Sequence, residues 1–243
     1  MMRSLKQQKG NVLFLILIAV ALFAALSYAV TQSSRSGSDA NRETNVINTS
    51  QLTQYPNQVR TAVLRLVIGG LDPALLQFNN LDEQTGVTPY DKFSPTKAVF
   101  HPQGGSAAHT KIPVKILVSA TTDQEWIYTM AFRIPGLGSD NTDGSGNELI
   151  AFADDLTQTI CSRLNADLGW GTTIPVTNAA LTLATSRTPA YRIATDSLLT
   201  APSTDGVVPN NGASPNWFKG KAFGCFQNDT AGKYVFYYTL VER

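Results

Sequence analysis

Residues 11–34 carry no charged side chain, and residues 12–30 within them form an almost unbroken apolar run, VLFLILIAVALFAALSYAV. Nothing else in the chain restricts its fold so tightly. As an α-helix, a run of this length reaches roughly 28 Å at about 1.5 Å per residue. That is close to the hydrocarbon core of a bilayer, about 30 Å. A helix that is apolar on every side has to be covered by lipid or by other helices. Arg3, Lys6 and Lys9 precede the run, and basic residues favour the cytoplasmic side. The expected topology therefore has residue 1 inside and everything after Val30 outside. Two ordinary readings fit this pattern. One is a plain membrane anchor. The other is a cleaved secretory signal with Ser27-Tyr28-Ala29 as its small-residue site, although the apolar core exceeds the usual length of roughly 7–15 residues.

A third reading rests on Gln8-Lys9-Gly10-Asn11, a basic leader that ends in glycine directly before the apolar run. This resembles the N-terminus of type IV pilin-like proteins. The resemblance implies cleavage after Gly10 by a prepilin peptidase and methylation of the new N-terminus at Asn11. It makes Val12, Leu13, Phe14 and Leu15 the start of a filament core. It divides the chain into a leader (1–10), a transmembrane and filament-core helix (11–34), a polar joint with the second part of the helix (35–70) and a globular head (71–243). The implied partners are other pilin-like subunits, the peptidase and, before assembly, the inner membrane, with the head in the periplasm or outside the cell. The sequence departs from the family at Leu15, where Glu is usual. In the family that Glu is thought to neutralise the N-terminal ammonium of a neighbouring subunit, and a bare charge among apolar helices is costly. A subunit without it resembles minor pilins and pseudopilins rather than bulk shaft subunits.

Without the leader, 16 Lys+Arg stand against 18 Asp+Glu, so charge gives no support for a nucleic-acid partner. Cys161 and Cys225 are the only cysteines. An even pair on the exported side is most simply a disulfide.

The expected fold is α+β, with an antiparallel sheet packed on helices. Val59, Val63, Leu66 and Val67 recur at helical spacing, and Gly69-Gly70 ends that helix. Pro56 near its start and Gly37 before it predict an interrupted helix rather than one continuous rod. Asp72-Pro73 reads as the start of a short helix over 74–78. Residues 79–113 read as loop, with a strand around 97–101. Alternation predicts a hairpin of 114–119 with 126–134, with Trp126, Tyr128, Met130, Phe132 and Ile134 on one face. Ser145 and Glu148 have capping-box spacing, ahead of a predicted helix carrying Leu149, Phe152, Leu156, Ile160 and Leu164. Residues 170–219 read as loops with a short strand at 190–194. A C-terminal hairpin, 222–227 with 234–241, has apolar residues on both faces of its last strand, so that strand is expected to be covered on both sides.

Little in the chain points to catalysis. No G-x-S-x-G, P-loop or H-E-x-x-H motif is present, and the protein is read as no enzyme. His101 and His109 lie in a loop and are expected to be exposed rather than metal-bound. The loop 139–148 holds Asp140, Asp143 and Glu148, oxygen donors that would suit Ca²⁺. Aligning Gly144 with the EF-hand glycine leaves Ser139 and Ile150 at the terminal ligand positions, so an EF-hand is excluded. The competing reading is a solvated turn, and no cofactor is assigned.

Overall fold

The computed structural model describes residues 9–33, 37–78, 94–139, 147–176, 218–228 and 233–243. It divides into two compact units, Met1–Asn45 and Val46–Arg243. The first holds helix α1 (Lys9–Ser33) and the beginning of α2 (Gly37–Ile68). The uncharged run of 11–33 has no proline or glycine to interrupt α1. The Thr31 hydroxyl folds back to donate to the Ser27 carbonyl at 2.6 Å.

The second unit is an antiparallel four-stranded sheet in the order β1-β2-β4-β3, with α2 and α3 contributing to its core. The strands are β1 (Ile127–Phe132), β2 (Glu148–Leu156), β3 (Phe223–Gln227) and β4 (Tyr234–Val241), and α3 spans Gln158–Asp167. Every residue of β4 is buried. Tyr234, Phe236, Tyr238 and Leu240 join Leu52, Tyr55, Val59 and Val63 of α2 and Ile160 and Leu164 of α3 in one cluster. Val235 and Tyr237 face the other way, into a cluster with Phe132, Phe152, Phe218 and Phe226. Apolar residues on both faces of the last strand thus do mark a strand covered on both sides. Burial pushes the Tyr237 phenol well above its ordinary pKa, and its hydroxyl donates to the Lys221 carbonyl at 3.0 Å.

The outer edge of β3 is also closed. The Asn165 amide, fully buried on α3, donates to the Cys225 carbonyl at 2.8 Å and accepts from the Cys225 N–H at 3.0 Å. The Gln227 N–H donates to the Pro175 carbonyl at 2.8 Å. An edge strand whose polar groups are engaged in this way is a poor template for another strand.

Four expectations about the longer elements fail, each for a local reason. Residues 148–156 are strand, not helix. The helical spacing of Leu149, Phe152 and Leu156 is embedded in a continuous run, Leu149-Ile150-Ala151-Phe152-Ala153, which suits a strand buried on both faces. The true helix start is Thr157, extended at φ −72° and ψ 151°, whose hydroxyl accepts from the Ile160 N–H. Second, 114–119 forms no strand. Val114–Ile116 is a 3₁₀ turn, the Val114 N–H donates to Asp123 at 2.7 Å, and only Leu117 bridges, to Leu156. Ile116 and Leu117 are both buried and Val118 is 54% exposed, so the side chains do not alternate as in a strand. Third, the β1 face changes partway. A register shift between Thr129 and Phe132 leaves Trp126, Tyr128 and Met130 in the cluster with α2 but turns Phe132 and Ile134 to the other side; a bulge inserts a residue and inverts the pleat beyond it. Fourth, α2 starts well before Pro56 and carries that proline inside it. The missing N–H removes one backbone bond of the helix, at a point where Leu52, Tyr55 and Val59 are all buried.

Other readings of short segments hold in outline. Gly70, at φ +93°, follows the end of α2, and the Leu71 N–H closes on the Leu66 carbonyl at 3.1 Å, a glycine-terminated helix end. Asp72 caps Ala74 at 2.9 Å, although the helix it starts is the 3₁₀ turn Pro73–Leu75. The exception is the strand expected around 97–101, which does not form: Pro95–Lys97 is a 3₁₀ turn and only Ala98 pairs, in an isolated bridge with Gln77. Gly104-Gly105 serves a turn: a Cβ on either would collide with the Ala98 or Val99 carbonyl. Arg65 of α2 clamps that turn by donating to the carbonyls of Gly104 and Gly105. The strand expected at 190–194 and residues 79–93 lie outside the described residues.

Cys161 of α3 and Cys225 of β3 form a disulfide, with a Cα–Cα distance of 5.4 Å and a sequence separation of 64. On the chain-entropy model a loop of this length stabilises by about 4 kcal/mol. Replacing both cysteines with Ala is expected to lower the melting temperature of the head by roughly 10 °C, as measured by near-UV circular dichroism.

Candidate functional site

Two features of the described residues depart from ordinary core and surface. The first is α1. Gly10 and Asn11 lie in its first turn. Val12, Leu13, Phe14 and Leu15 are 59–65% exposed, and the large apolar residues continue exposed through Val30. Among the described residues one helix, Val12–Thr31, is long and apolar enough to cross a membrane. Apart from the hydroxyls of Ser27, Tyr28 and Thr31 at its end, its side chains offer only dispersion and the hydrophobic effect.

The second is a cluster in the head where an isolated antiparallel bridge joins Ile112 to Gln124. The Ile112 N–H donates to the Gln124 carbonyl at 2.7 Å, and the Gln124 N–H returns to Ile112 at 2.9 Å. In such a pair the flanking residues face one another, which sets Lys111 against Glu125. Lys111 Nζ lies 2.9 Å from Glu125 Oε1, and His109 Nε2 lies 2.8 Å from Glu125 Oε2. Burial alone raises the Glu125 pKa, but hydrogen bonds and charge from His109 and Lys111 outweigh it and hold the carboxyl at about 2. The His109 ring also stands edge-on to Phe100, 5.0 Å between centroids. His109 is therefore half-buried and paired, not the exposed loop histidine expected. His101 accepts from the Gln103 N–H at 3.1 Å, closing a local turn.

Beside this cluster is a cleft of about 600 Å³ lined by one face of α2, the His109–Pro113 segment, Asp123 and Trp126. Tyr55 forms part of its floor. Its hydroxyl accepts from the Tyr128 hydroxyl at 3.2 Å and from the Thr110 N–H at 3.3 Å. Burial pushes its pKa up, so it stays a neutral phenol.

The structure brings Cys161 and Cys225 together; of the proposed calcium donors it describes only Glu148. Asp140 and Asp143 lie outside the described residues. Glu148 is a fully buried strand residue, and its Oε2 accepts the Ile134 N–H at 2.8 Å, closing the end of the β1–β2 pair. Among the described residues no group of three or more His, Cys, Asp and Glu could hold a metal. Sequence reasoning missed the His109–Lys111–Glu125 cluster because the pairing depends on one long-range bridge. No motif announces it.

No family model, no curated protein and no solved structure matches this chain.

The Glu125 shift carries a pH signature. A carboxyl held at about 2 contributes stability that is complete above its unfolded pKa, about 4.3, and is lost as pH falls towards 2. Glu125→Gln is expected to destabilise the head at pH 7 by about 2 kcal/mol. It should also flatten the fall of melting temperature between about pH 5 and pH 2 relative to wild type; thermal melts across that range measure both.

Proposed function

We propose that this chain is a pilin-like structural subunit, of minor-pilin or pseudopilin type, working by assembly and interaction rather than by catalysis. The observation that carries the reading is α1: its large apolar side chains from Val12 to Val30 are exposed, directly behind Gly10-Asn11 and a basic leader. A secretory signal would be discarded, and a plain anchor has no need of that glycine. A filament subunit uses the helix twice, first in the lipid of the inner membrane and then against neighbouring helices. In the second setting packing replaces lipid contacts. The residues of α2 in the sheet cluster, Leu52, Tyr55, Val59 and Val63, support the same reading, because a helix following the membrane segment and seated on an antiparallel sheet is the pilin-type arrangement. Leu15 in place of Glu supports the minor-pilin or pseudopilin reading, since it resembles subunits thought to have no earlier neighbour to neutralise.

The alternative is a single-pass anchored or secreted periplasmic binding protein that does not polymerise. The polar head cleft favours it, because a ligand site needs no filament.

The two readings separate on Gly10→Val. As a pilin-like subunit, the variant accumulates as an unprocessed precursor, seen as a slower band on immunoblots, and disappears from sheared filament fractions. As a non-polymerising protein, it matches wild type in both measurements.

A further inference from the structure

Asn165 lies four residues beyond Cys161 on α3, and residues four apart on a helix share a face. Cys161 is bonded to the Cys225 sulfur, while Asn165 is bonded to the Cys225 main chain. The amide donates to the Cys225 carbonyl at 2.8 Å and accepts from the Cys225 N–H at 3.0 Å. The same nitrogen also reaches the Thr173 carbonyl at 3.5 Å. In an antiparallel pair, alternate residues turn both backbone groups away from the partner strand. Cys225, opposite Phe236 of β4, turns its own towards α3, so the Asn165 side chain takes the place of a neighbouring strand. All three residues are fully buried. A buried amide is retained only where its hydrogen bonds are met, and packing under a disulfide needs no amide.

Two bonds to one residue fix its rotation as well as its distance. With the Cys225 backbone set against α3, only side-chain rotations remain between the two sulfurs. Orienting two reacting groups in this way raises their effective concentration. We infer that Asn165 is the positioning residue of the disulfide, docking Cys225 on α3 in the reduced chain as it does in the oxidised one. The chemistry is thiol–disulfide exchange with a small-molecule disulfide such as oxidised glutathione. One cysteine thiolate attacks the glutathione disulfide and expels a glutathione thiolate. The second cysteine thiolate then attacks the mixed disulfide and expels the other. The protein dithiol loses two electrons, glutathione gains them, and the two thiol protons pass to the released glutathione. Both sulfurs are fully buried once the site closes, so exchange proceeds through opened molecules, and it is the equilibrium that reports on Asn165. By linkage the disulfide strengthens the Asn165–Cys225 pairing by the same factor. An anchored head that never polymerises would carry the same clasp.

The test equilibrates the full chain, in detergent, with reduced and oxidised glutathione at a series of ratios, starting from both the reduced and the oxidised protein. Free thiols are alkylated under denaturing conditions and counted by mass spectrometry. Asn165→Leu, which removes the bonds and keeps the bulk, is expected to need a roughly tenfold more oxidising mixture for half-oxidation, about 1.4 kcal/mol. Asn165→Ala should shift the midpoint in the same direction and keeps the test sound if Asn165→Leu folds poorly. Ile134→Val, just beyond β1 at the opposite edge of the sheet from β3, should lower the melting temperature and leave the redox midpoint unchanged, which separates positioning from general stability. Reciprocally, Asn165→Ala should cost more melting temperature in the disulfide-bearing chain than in a Cys161→Ala/Cys225→Ala chain. The proposal is overturned if both Asn165 variants are half-oxidised at the wild-type ratio, if Ile134→Val shifts the midpoint as far as they do, or if the melting cost is the same with and without the disulfide.

Discussion

The head depends on the pairing of β2 with β4. Both strands lie inside the sheet and are almost wholly buried, so neither face of the sheet can be left to water. On one side the residues of α2 and α3 meet Phe236, Tyr238 and Leu240. On the other, Phe218 and Trp170 close over Tyr237 and Phe226. At Gly224 of β3 a Cβ would strike the Trp170 ring, so the outer layer lies directly on the edge-strand backbone. The disulfide and the Asn165 amide then fasten α3 to the same strand at Cys225. The covering layers follow from two strands with no polar face.

Helix α1 inverts that logic. It has as much apolar surface as a buried element, yet from Val12 to Val30 its large apolar side chains are exposed. Among the described residues of the head, exposed large apolar side chains are scattered; in α1 they recur from Val12 to Val30. Such a surface requires a medium or a partner. Lipid supplies the first and a bundle of like helices the second. The proposed function is the claim that one helix meets both in turn.

The ends of the chain were the most legible in sequence. The uncharged run of 11–34 has one reasonable conformation, and the C-terminal hairpin shows period-2 alternation on both sides of a turn. The helix-like spacing of Val59 and Val63 also marked a buried face correctly. The middle was less legible because period and burial conflict there. Leu149, Phe152 and Leu156 match a helical stripe, yet a run of five apolar residues inside that stripe belongs to a strand buried on both sides. At β1 the alternation is real, but the shift after Thr129 turns Phe132 and Ile134 to the opposite face. A bulge leaves no mark in a pattern of apolar and polar letters. The Glu125 cluster was invisible for a different reason: His109 and Lys111 meet it through the bridge of Ile112 to Gln124, and neither segment signals its partner. Asp155 shows the same limit, since its left-handed backbone, φ 61°, lets its side chain accept from the Ser119 and Ala120 N–H groups.

The central claim is that α1 is kept and made the start of the mature protein. Mass spectrometry of the N-terminal peptide of the native protein measures this directly. A pilin-like subunit begins at Asn11 and carries a methyl group on its amine. A start at Met1 would contradict this and leave a plain anchor, while a start at Val30 would mean that α1 had been discarded as a signal.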